Sequence, residues 1–192
     1  MRADAQKNYD HLLEIAREVV AEQGADASMR DIARRAAVGI GTLYRHFPTR
    51  EALLAALLGK IFDRLTVRAQ ELDSSGDPGA ALVAWLREIV AIAHDHRGVI
   101  ASMTAAIDDP DSALHASCVT MKASGTRLLV RAQADGAART DIDGADLFAL
   151  VGALGWINDQ PSLAARADHL FRVIACAILV PGERPAAAPL AP

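Results

Sequence analysis

Apolar residues recur every three or four positions along most of the chain, which is the period of an amphipathic α-helix. Leu12, Ile15 and Val19 form one such stripe. The signals of strands, sustained alternation of β-branched residues and Asn-Gly hairpin turns, are missing from the sequence. We therefore predict an all-α fold. Its helices are expected over residues 6–23, 29–36, 40–47, 50–72, 80–94, 98–107, 112–135, 145–157 and 162–179.

The two short helices near the N-terminus have clear start and stop signals. Ser28 is placed to cap the first of them, with Asp31 as the reciprocal acid of a capping box. The turn 37–39 separates the pair, Pro48 ends the second helix, and Thr49 is placed to cap a long fourth helix. At about 1.5 Å per residue this fourth helix is roughly 35 Å long, which is enough to link two domains.

The pattern divides the chain into three parts. Residues 1–62 form a small helical head, and residues 63–181 form a larger helical body whose helices are separated by polar loops. Residues 182–192 hold too little apolar bulk to pack against the body, and we expect them to be a disordered tail.

Arginine is concentrated in the head, although the chain as a whole is acidic, with a formal net charge of −4. Over residues 28–50 the local balance is +5 − 1 = +4. A cationic surface on a small helical pair is typical of proteins that bind a polyanion, and nucleic acid is the first candidate. The residues counted are Arg30, Arg34, Arg35, Arg45, Arg50 and the single acid Asp31.

Two short helices joined by a tight turn indicate a helix-turn-helix, whose second helix enters the major groove with its N-terminal residues on the bases. Those residues are Gly39, Ile40, Gly41 and Thr42. Glycine within a helix costs about 1 kcal/mol relative to alanine, and close approach of the backbone to DNA would explain Gly41. Thr42 can hydrogen-bond a base or phosphate and can touch a thymine methyl group.

The other polar side chains of this helix suit contacts to the DNA backbone. Arg45 is predicted to reach either a base edge or a phosphate. In the alternative interpretation the segment is an ordinary amphipathic helix, with Leu43 and Phe47 in the core and its polar residues merely solvated. Predicted phosphate contacts are Tyr44, His46 and Arg50.

The run TLYRHFPTREALLAAL, preceded by MRDIARRAAVG, resembles the N-terminal domain of the TetR family of bacterial transcriptional regulators over about residues 8–62. The resemblance implies a three-helix DNA-binding head at residues 1–62, joined through the fourth helix to an all-helical ligand-binding and dimerisation body at 63–181. Members are typically repressors that a small molecule releases from an operator. The implied partners are double-stranded operator DNA, a second copy of the chain and an unknown small-molecule effector.

The resemblance also assigns residues. It places the recognition helix at 39–47, a phosphate contact at Ser28, and Arg50 at a position commonly held by lysine. The usual DNA-contacting positions are then Thr42, Tyr44 and His46. Three residues depart from the family pattern: Ala37 stands where glycine is common, Gly39 where a serine-type cap is common, and Ile40 where the residue is often polar.

In the body, six large or adaptable side chains lie among many alanines. Methionines and aromatic residues adapt to ligands, and pockets are mostly apolar, so these residues are candidates to line a ligand cavity. Plain core packing is the alternative for each of them. The six are Trp85, Met103, Cys118, Met121, Phe148 and Trp156.

Small residues on one side of the predicted helix at 145–157 indicate a close helix contact. Together with apolar residues of the last helix, they predict a two-fold dimer surface. Intramolecular packing is the alternative. The small residues are Ala149, Gly152, Ala153 and Gly155, and those of the last helix are Leu163, Leu170, Val173, Ile174 and Ala177.

Other chemistry finds little support. His94 and His96 are two apart and point to different faces of a helix, so no metal site is predicted. His115 and Cys118 share a face but have no identifiable orienting carboxylate, so we expect no catalytic residue, no enzyme activity and no cofactor. Without an apolar run of about 18 residues or a signal peptide, we expect a cytoplasmic protein with no membrane partner. A helical small-molecule-binding or protein-interaction module without DNA function is the alternative, and the same head would also serve an activator.

Overall fold

The computed structural model describes residues 2–180, with side chains from residue 6 onward; the predicted tail at 182–192 lies outside the described residues. Within this part the chain is helical and has no strand, which confirms the all-α prediction. A short 3-10 turn at Gly24–Asp26 follows the first helix. The helices are α1 (Arg2–Gln23), α2 (Met29–Arg35), α3 (Ile40–His46), α4 (Arg50–Asp73), α5 (Pro78–Asp95), α6 (Arg97–Ser102), α7 (Thr104–Asp108), α8 (Ala113–Ala134), α9 (Gly144–Asp159), α10 (Pro161–Ala164) and α11 (Ala167–Ile178).

Two helices predicted as continuous are each divided into two. The break between α6 and α7 falls at Met103, and the break between α10 and α11 falls at 165–166. The Met103 N–H still bonds to the carbonyls of Val99 and Ile100, so the chain keeps its helical course through the break. The apolar period continues across such a turn, and for this reason the sequence pattern does not show it.

The caps of the head are partly as predicted. The Thr49 hydroxyl accepts the N–H of Ala52 at 3.0 Å and caps α4. Ser28 caps α2 by accepting the N–H of Asp31 at 3.4 Å, but the reciprocal bond predicted from Asp31 is wrong. The side chain of Gln23 takes that place, accepting the Ser28 N–H at 3.1 Å and donating to the Asp31 carboxylate at 2.9 Å.

The helices form two compact units, and each unit is discontinuous in sequence. The first contains residues up to 67 together with 91–121, and the second contains 68–90 together with residues from 122 onward. Helices α4, α5 and α8 each supply residues to both units. The division at residue 62 stays a prediction. No described helix combines the length and apolar character needed to span a lipid bilayer.

The core of the first unit is built from leucine and isoleucine side chains on the inner faces of α1 to α4. The ring of Tyr9 on α1 lies 5.1 Å from that of Phe47, which closes the end of α3 onto α1. Burying such side chains supplies most of the free energy that holds these short helices in place. The fully buried members are Leu12, Ile32, Leu43, Leu53 and Leu58.

The second unit uses polar groups to anchor the ends of its helices. The Arg131 guanidinium donates to the carbonyls of Leu72, Asp73 and Ser75, which lie at the end of α4 and just beyond it. Asp143 and Asp146 form a capping box at the start of α9: Asp143 Oδ1 accepts the Asp146 N–H at 3.0 Å, and Asp146 Oδ2 accepts the Asp143 N–H at 3.1 Å.

Candidate nucleic-acid interface

The turn between α2 and α3 is set by a Schellman motif. The Val38 N–H bonds to the carbonyl of Ala33 at 3.0 Å, and the Ala37 N–H bonds to that of Arg34 at 3.2 Å. Ala37 adopts φ 54°, in the left-handed region that favours glycine. The motif ends α2 abruptly and leaves Gly39, with extended backbone, as the N-cap of α3.

One side of α3 is anchored in the core and the other is open. Leu43 and Phe47 are buried at 0% and 2% exposure, as the amphipathic interpretation also requires. On the outer side Ile40 is 39% and Tyr44 46% exposed, and Arg45 is exposed as well. The outer side therefore carries two large apolar or aromatic residues four positions apart, on one face of the helix.

The two glycines at the start of α3 are not required by the fold. Apart from the adjoining residues and the backbone of α3 itself, no described atom lies within 4 Å of a Cβ built on Gly39 or Gly41, and neither residue has a positive φ. Neither close internal contact nor special backbone geometry explains them. The effect of both glycines is that no side chain covers the first turn of α3, so its backbone is accessible from outside.

Polar groups line the rest of this surface. Ser28 is exposed at the start of α2, while Thr42 and His46 are half-buried. The ring of His46 lies 6.1 Å from that of Tyr9 at an angle of 61°, and this contact restricts its orientation at the end of α3.

Three of the five arginines counted as a cationic cluster are paired with acids, and two of these three share Asp31. Arg35 donates to both carboxylate oxygens of Glu22, at 2.9 and 2.7 Å, and lies 3.1 Å from Asp31. Arg34 donates to Asp31 and, as the largest cause, holds the pKa of that carboxyl below its usual value. The pKa of Glu22 is lowered in the same way, chiefly by the bond from Arg35.

Arg50 pairs with Asp26 at 3.3 Å, and its buried Nε has no hydrogen-bond partner among the described residues. Within the same part of the chain, the exposed Arg30 and Arg45 form no ion pair. The charge of +4 counted over residues 28–50 therefore overstates the free cationic charge. Glu22 and Asp26 precede that window, so counting within it could not include them.

In the second unit, Trp85 and Phe148 lie together. Trp85 is 0% exposed, and the edge of its ring faces Phe148 with 6.0 Å between centroids at 87°. A Cβ on Gly125 would overlap the Trp85 ring, so this glycine makes room for the indole. These contacts fit core packing, and a role of either side chain in ligand binding stays a prediction.

The other four predicted ligand-lining residues occupy different surroundings. Met103, Cys118 and Met121 are buried within the first unit. Trp156, in the second unit, is 61% exposed. Of the six residues, Trp85 and Phe148 are the pair whose rings are in contact in the described part of the chain.

The first unit also contains a cleft that the sequence did not indicate. Its volume is about 240 Å³, and it lies between α1, α4 and α6. Arg17 and His96 are among its polar lining residues, and Leu58 and Ile61 are among the apolar ones. These residues come from three segments far apart in the chain, so no local pattern marks them.

Helices α9 and α11 pack against each other, and each carries a stripe of exposed residues. On α9 the stripe is formed by Ala149, Gly152, Ala153 and Trp156, at positions i, i+3, i+4 and i+7 of one helix face. Gly155, which the sequence pattern placed on the same side of the helix, is buried within the chain. On α11 the exposed stripe contains Val173, Cys176 and Ala177.

The capped helix α2, the tight turn and the outward-facing helix α3 together define a helix-turn-helix DNA-binding head. Residues 12–57 match the family described as bacterial regulatory proteins, tetR family, and residues 77–176 match the C-terminal domain of SbtR-like transcriptional regulators. The chain belongs to the TetR family of bacterial regulatory proteins, as the sequence resemblance predicted.

Solved structures extend the likeness over nearly the whole chain. A TetR transcriptional regulator from Streptomyces coelicolor is 32% identical with a TM-score of 0.71, and the match covers 89% of this chain and 98% of that one. A TetR regulatory protein from Mycobacterium vanbaalenii is 31% identical with a TM-score of 0.69, over 93% and 99% of the two chains.

Curated relatives match over a shorter length. The Mycobacterium tuberculosis repressor KstR2 is 36% identical over 92 residues, which is 46% of each chain. The Escherichia coli regulator UidR is 38% identical over 72 residues, or 37% of each chain. The matched region thus spans less than half the length of these relatives.

Proposed function

We propose that this protein is a transcriptional repressor that binds a palindromic operator as a homodimer and is released from it by a small molecule. The observation that carries the proposal is the form of α3. Leu43 and Phe47 fix one side of the helix in the core, and the opposite side is left open from Gly39 to Arg45. A helix held in this way can enter a major groove without rearrangement of the head.

Residues at the start of α3, from Gly39 to Thr42, take the base edges, with Arg45 on a base or a phosphate. Phosphate contacts come from Ser28, Tyr44 and His46. Arg50 joins them by exchanging Asp26 for a phosphate, because Asp26 is 98% exposed and this pair, at 3.3 Å, is a weak surface ion pair. Arg30 adds a further cation, since it is exposed and forms no ion pair in the described part of the chain.

The second copy docks on the exposed stripe of α9 and α11. Small residues at Ala149, Gly152 and Ala153 allow close approach of a two-fold related helix, and Trp156 supplies a large apolar contact. We assign Trp156 to this surface and not to a ligand pocket. Two recognition helices about one helical turn of DNA apart, roughly 34 Å, would then grip successive major grooves.

The effector acts through helices that supply residues to both units. A ligand releases DNA only if it binds the DNA-free conformation more tightly than the DNA-bound one. We propose α4 as the route, because it begins at the DNA-binding head and ends in the second unit. Trp85, Met103, Cys118, Met121 and Phe148 remain the candidate ligand-contacting residues.

The DNA-binding proposal is tested by selecting bound duplexes from a random DNA pool at low ionic strength. Tyr44→Ala and Arg45→Gln should weaken binding to the selected duplex and leave the melting temperature unchanged. In a homodimer Arg45→Gln removes two phosphate or base contacts, so the slope of log affinity against log salt should fall by about 2 if both are phosphates. Arg64→Gln, which removes the same charge from an exposed position on α4, is the control.

Selection of no duplex would overturn the proposal. Binding that responds little to salt would favour the alternative, a module that contacts another protein. The dimer surface is tested separately by light scattering of Gly152→Glu, since a side chain at Gly152 meets no described atom within 4 Å in the single chain. This variant should be monomeric, and Ala116→Glu, at an exposed alanine on α8, should remain dimeric.

A further inference from the structure

The first turn of α3 presents a single large side chain to the outside. Ile40 is 39% exposed, and its chain neighbours Gly39 and Gly41 have no side chain. Thr42, the only hydrogen-bonding side chain of this turn, is half-buried. The tip of the proposed recognition helix is therefore apolar. It is also narrow, because the residues on both sides of Ile40 are glycines.

The orientation of this side chain follows from its own helix. Leu43, three residues further on, is fully buried, and Tyr44, four residues further on, is 46% exposed. Ile40 and Tyr44 stand one above the other on the outer face. Ile40 consequently leads the helix face that the proposed function turns toward the groove.

The major groove offers little that isoleucine can recognise. Each base pair exposes hydrogen-bond donors and acceptors there, and isoleucine has neither. The one apolar group on the floor of the major groove is the 5-methyl group of thymine. An isoleucine at the tip of the helix can therefore distinguish thymine from the other bases by burying this methyl group.

We propose that Ile40 is a specificity-determining residue that reads a thymine methyl group in each operator half-site. The inference rests on the proposed function and deepens it by naming the chemical group that the helix selects. Gly39 and Gly41 serve the same contact, because the missing side chains allow the Ile40 methyl groups to reach the base plane. Ile40 stands at a position where the family often has a polar residue, and in this protein it determines sequence preference.

The size of the effect follows from the area that the methyl group buries. Loss of one buried methyl group corresponds to about a fourfold change in affinity. A homodimer on a palindromic site makes the contact twice, so loss from both half-sites corresponds to about fifteenfold.

The test uses the duplex obtained by selection and removes single methyl groups from it. Each thymine is replaced in turn by uracil, symmetrically in both half-sites, which deletes the 5-methyl group and keeps every hydrogen-bonding atom. The wild-type protein should lose about fifteenfold in affinity at one symmetric pair and little at the others. Ile40→Ala should bind the unmodified duplex more weakly and should show no further loss at that pair.

Thr42→Ser provides the matched comparison, because threonine also carries a methyl group that can touch thymine. If the uracil effect disappears in Thr42→Ser and persists in Ile40→Ala, the contact belongs to Thr42 and the inference fails. If wild-type protein binds the duplex but is indifferent to every uracil substitution, the inference fails while the proposed function stands. Failure of wild-type protein to bind any duplex overturns both.

Because the uracil scan of wild-type protein is informative by itself, the inference can be refuted even if a variant does not fold. Ile40 is exposed, so Ile40→Ala should keep the wild-type melting temperature within about 2 °C, as is usual for surface substitutions.

Discussion

Substitution of Gly41 by alanine should separate the stability of the protein from its affinity for DNA. Gly41 is the second residue of α3, its φ is not positive, and a Cβ there meets no described atom within 4 Å. Alanine in place of glycine at a compatible helical position stabilises by about 0.4–1 kcal/mol, largely by restricting the unfolded chain. For a chain of this length the expected rise in melting temperature is roughly 1–4 °C.

The effect on DNA binding should have the opposite sign. If the backbone at Gly41 lies against a base or the sugar-phosphate chain, the added methyl group forces a steric overlap. Overpacking by one methylene costs about 1–3 kcal/mol in a close contact. Because the homodimer makes the contact twice, affinity should fall at least tenfold. Thermal unfolding measures the first effect, and titration of a labelled operator duplex measures the second.

Gly98→Ala is the matched control for this experiment. Gly98 is likewise the second residue of its helix, α6, and a Cβ built on it also meets no described atom within 4 Å. This variant should gain similar stability and bind DNA as the wild type does. If Gly41→Ala binds the operator with wild-type affinity, the backbone of α3 does not approach DNA closely and our explanation of the glycine is refuted.

Three further outcomes are expected. Ala37→Gly should raise the melting temperature by roughly 1–4 °C, because it removes an alanine from the left-handed region, where alanine costs about 1–2 kcal/mol. The greater flexibility of glycine in the unfolded chain offsets part of this gain. An unchanged or lower melting temperature would contradict the prediction. Gly125→Ala should destabilise by about 1–3 kcal/mol in chemical denaturation, because its methyl group would overlap the Trp85 ring, and unchanged stability would show that the ring is free to move. Arg35 and Arg34 lower the pKa values of Glu22 and Asp31 in the folded state, so these ion pairs stabilise the head at neutral pH. This contribution is lost as the pH falls below about 4. In Asp31→Asn the melting temperature should therefore fall less steeply with acidification than in the wild type.

Most of the fold, and the position of the DNA-binding surface, could be predicted from local signals in the sequence. Pro48 and Thr49 mark the junction of α3 and α4, and Ser28 marks the start of α2, because caps and proline act within one turn of the backbone. A further local signal lies at Pro78, the first residue of α5, with Asp77 accepting the Ala80 N–H at 2.8 Å: it places the start of this helix two residues before the predicted start at residue 80.

Interactions between distant residues were beyond the reach of the sequence. The pairing of Arg35 with Glu22, 13 positions earlier, reduces the free charge of the head, and it depends on how α2 lies against the end of α1. The position of Gly125 beneath Trp85, and the exposure of Trp156 directly after the buried Gly155, depend on which faces of α5, α8 and α9 meet.

The sequence by itself determined an all-α chain with a helix-turn-helix near its N-terminus, because helix period, caps and turn residues act over a few neighbouring positions. The tertiary structure decided which arginines remain unpaired, and it showed that Ile40 and the two glycines beside it face outward. Charge pairing and exposure are properties of surfaces brought together by folding, and residues far apart in the chain contribute to them equally.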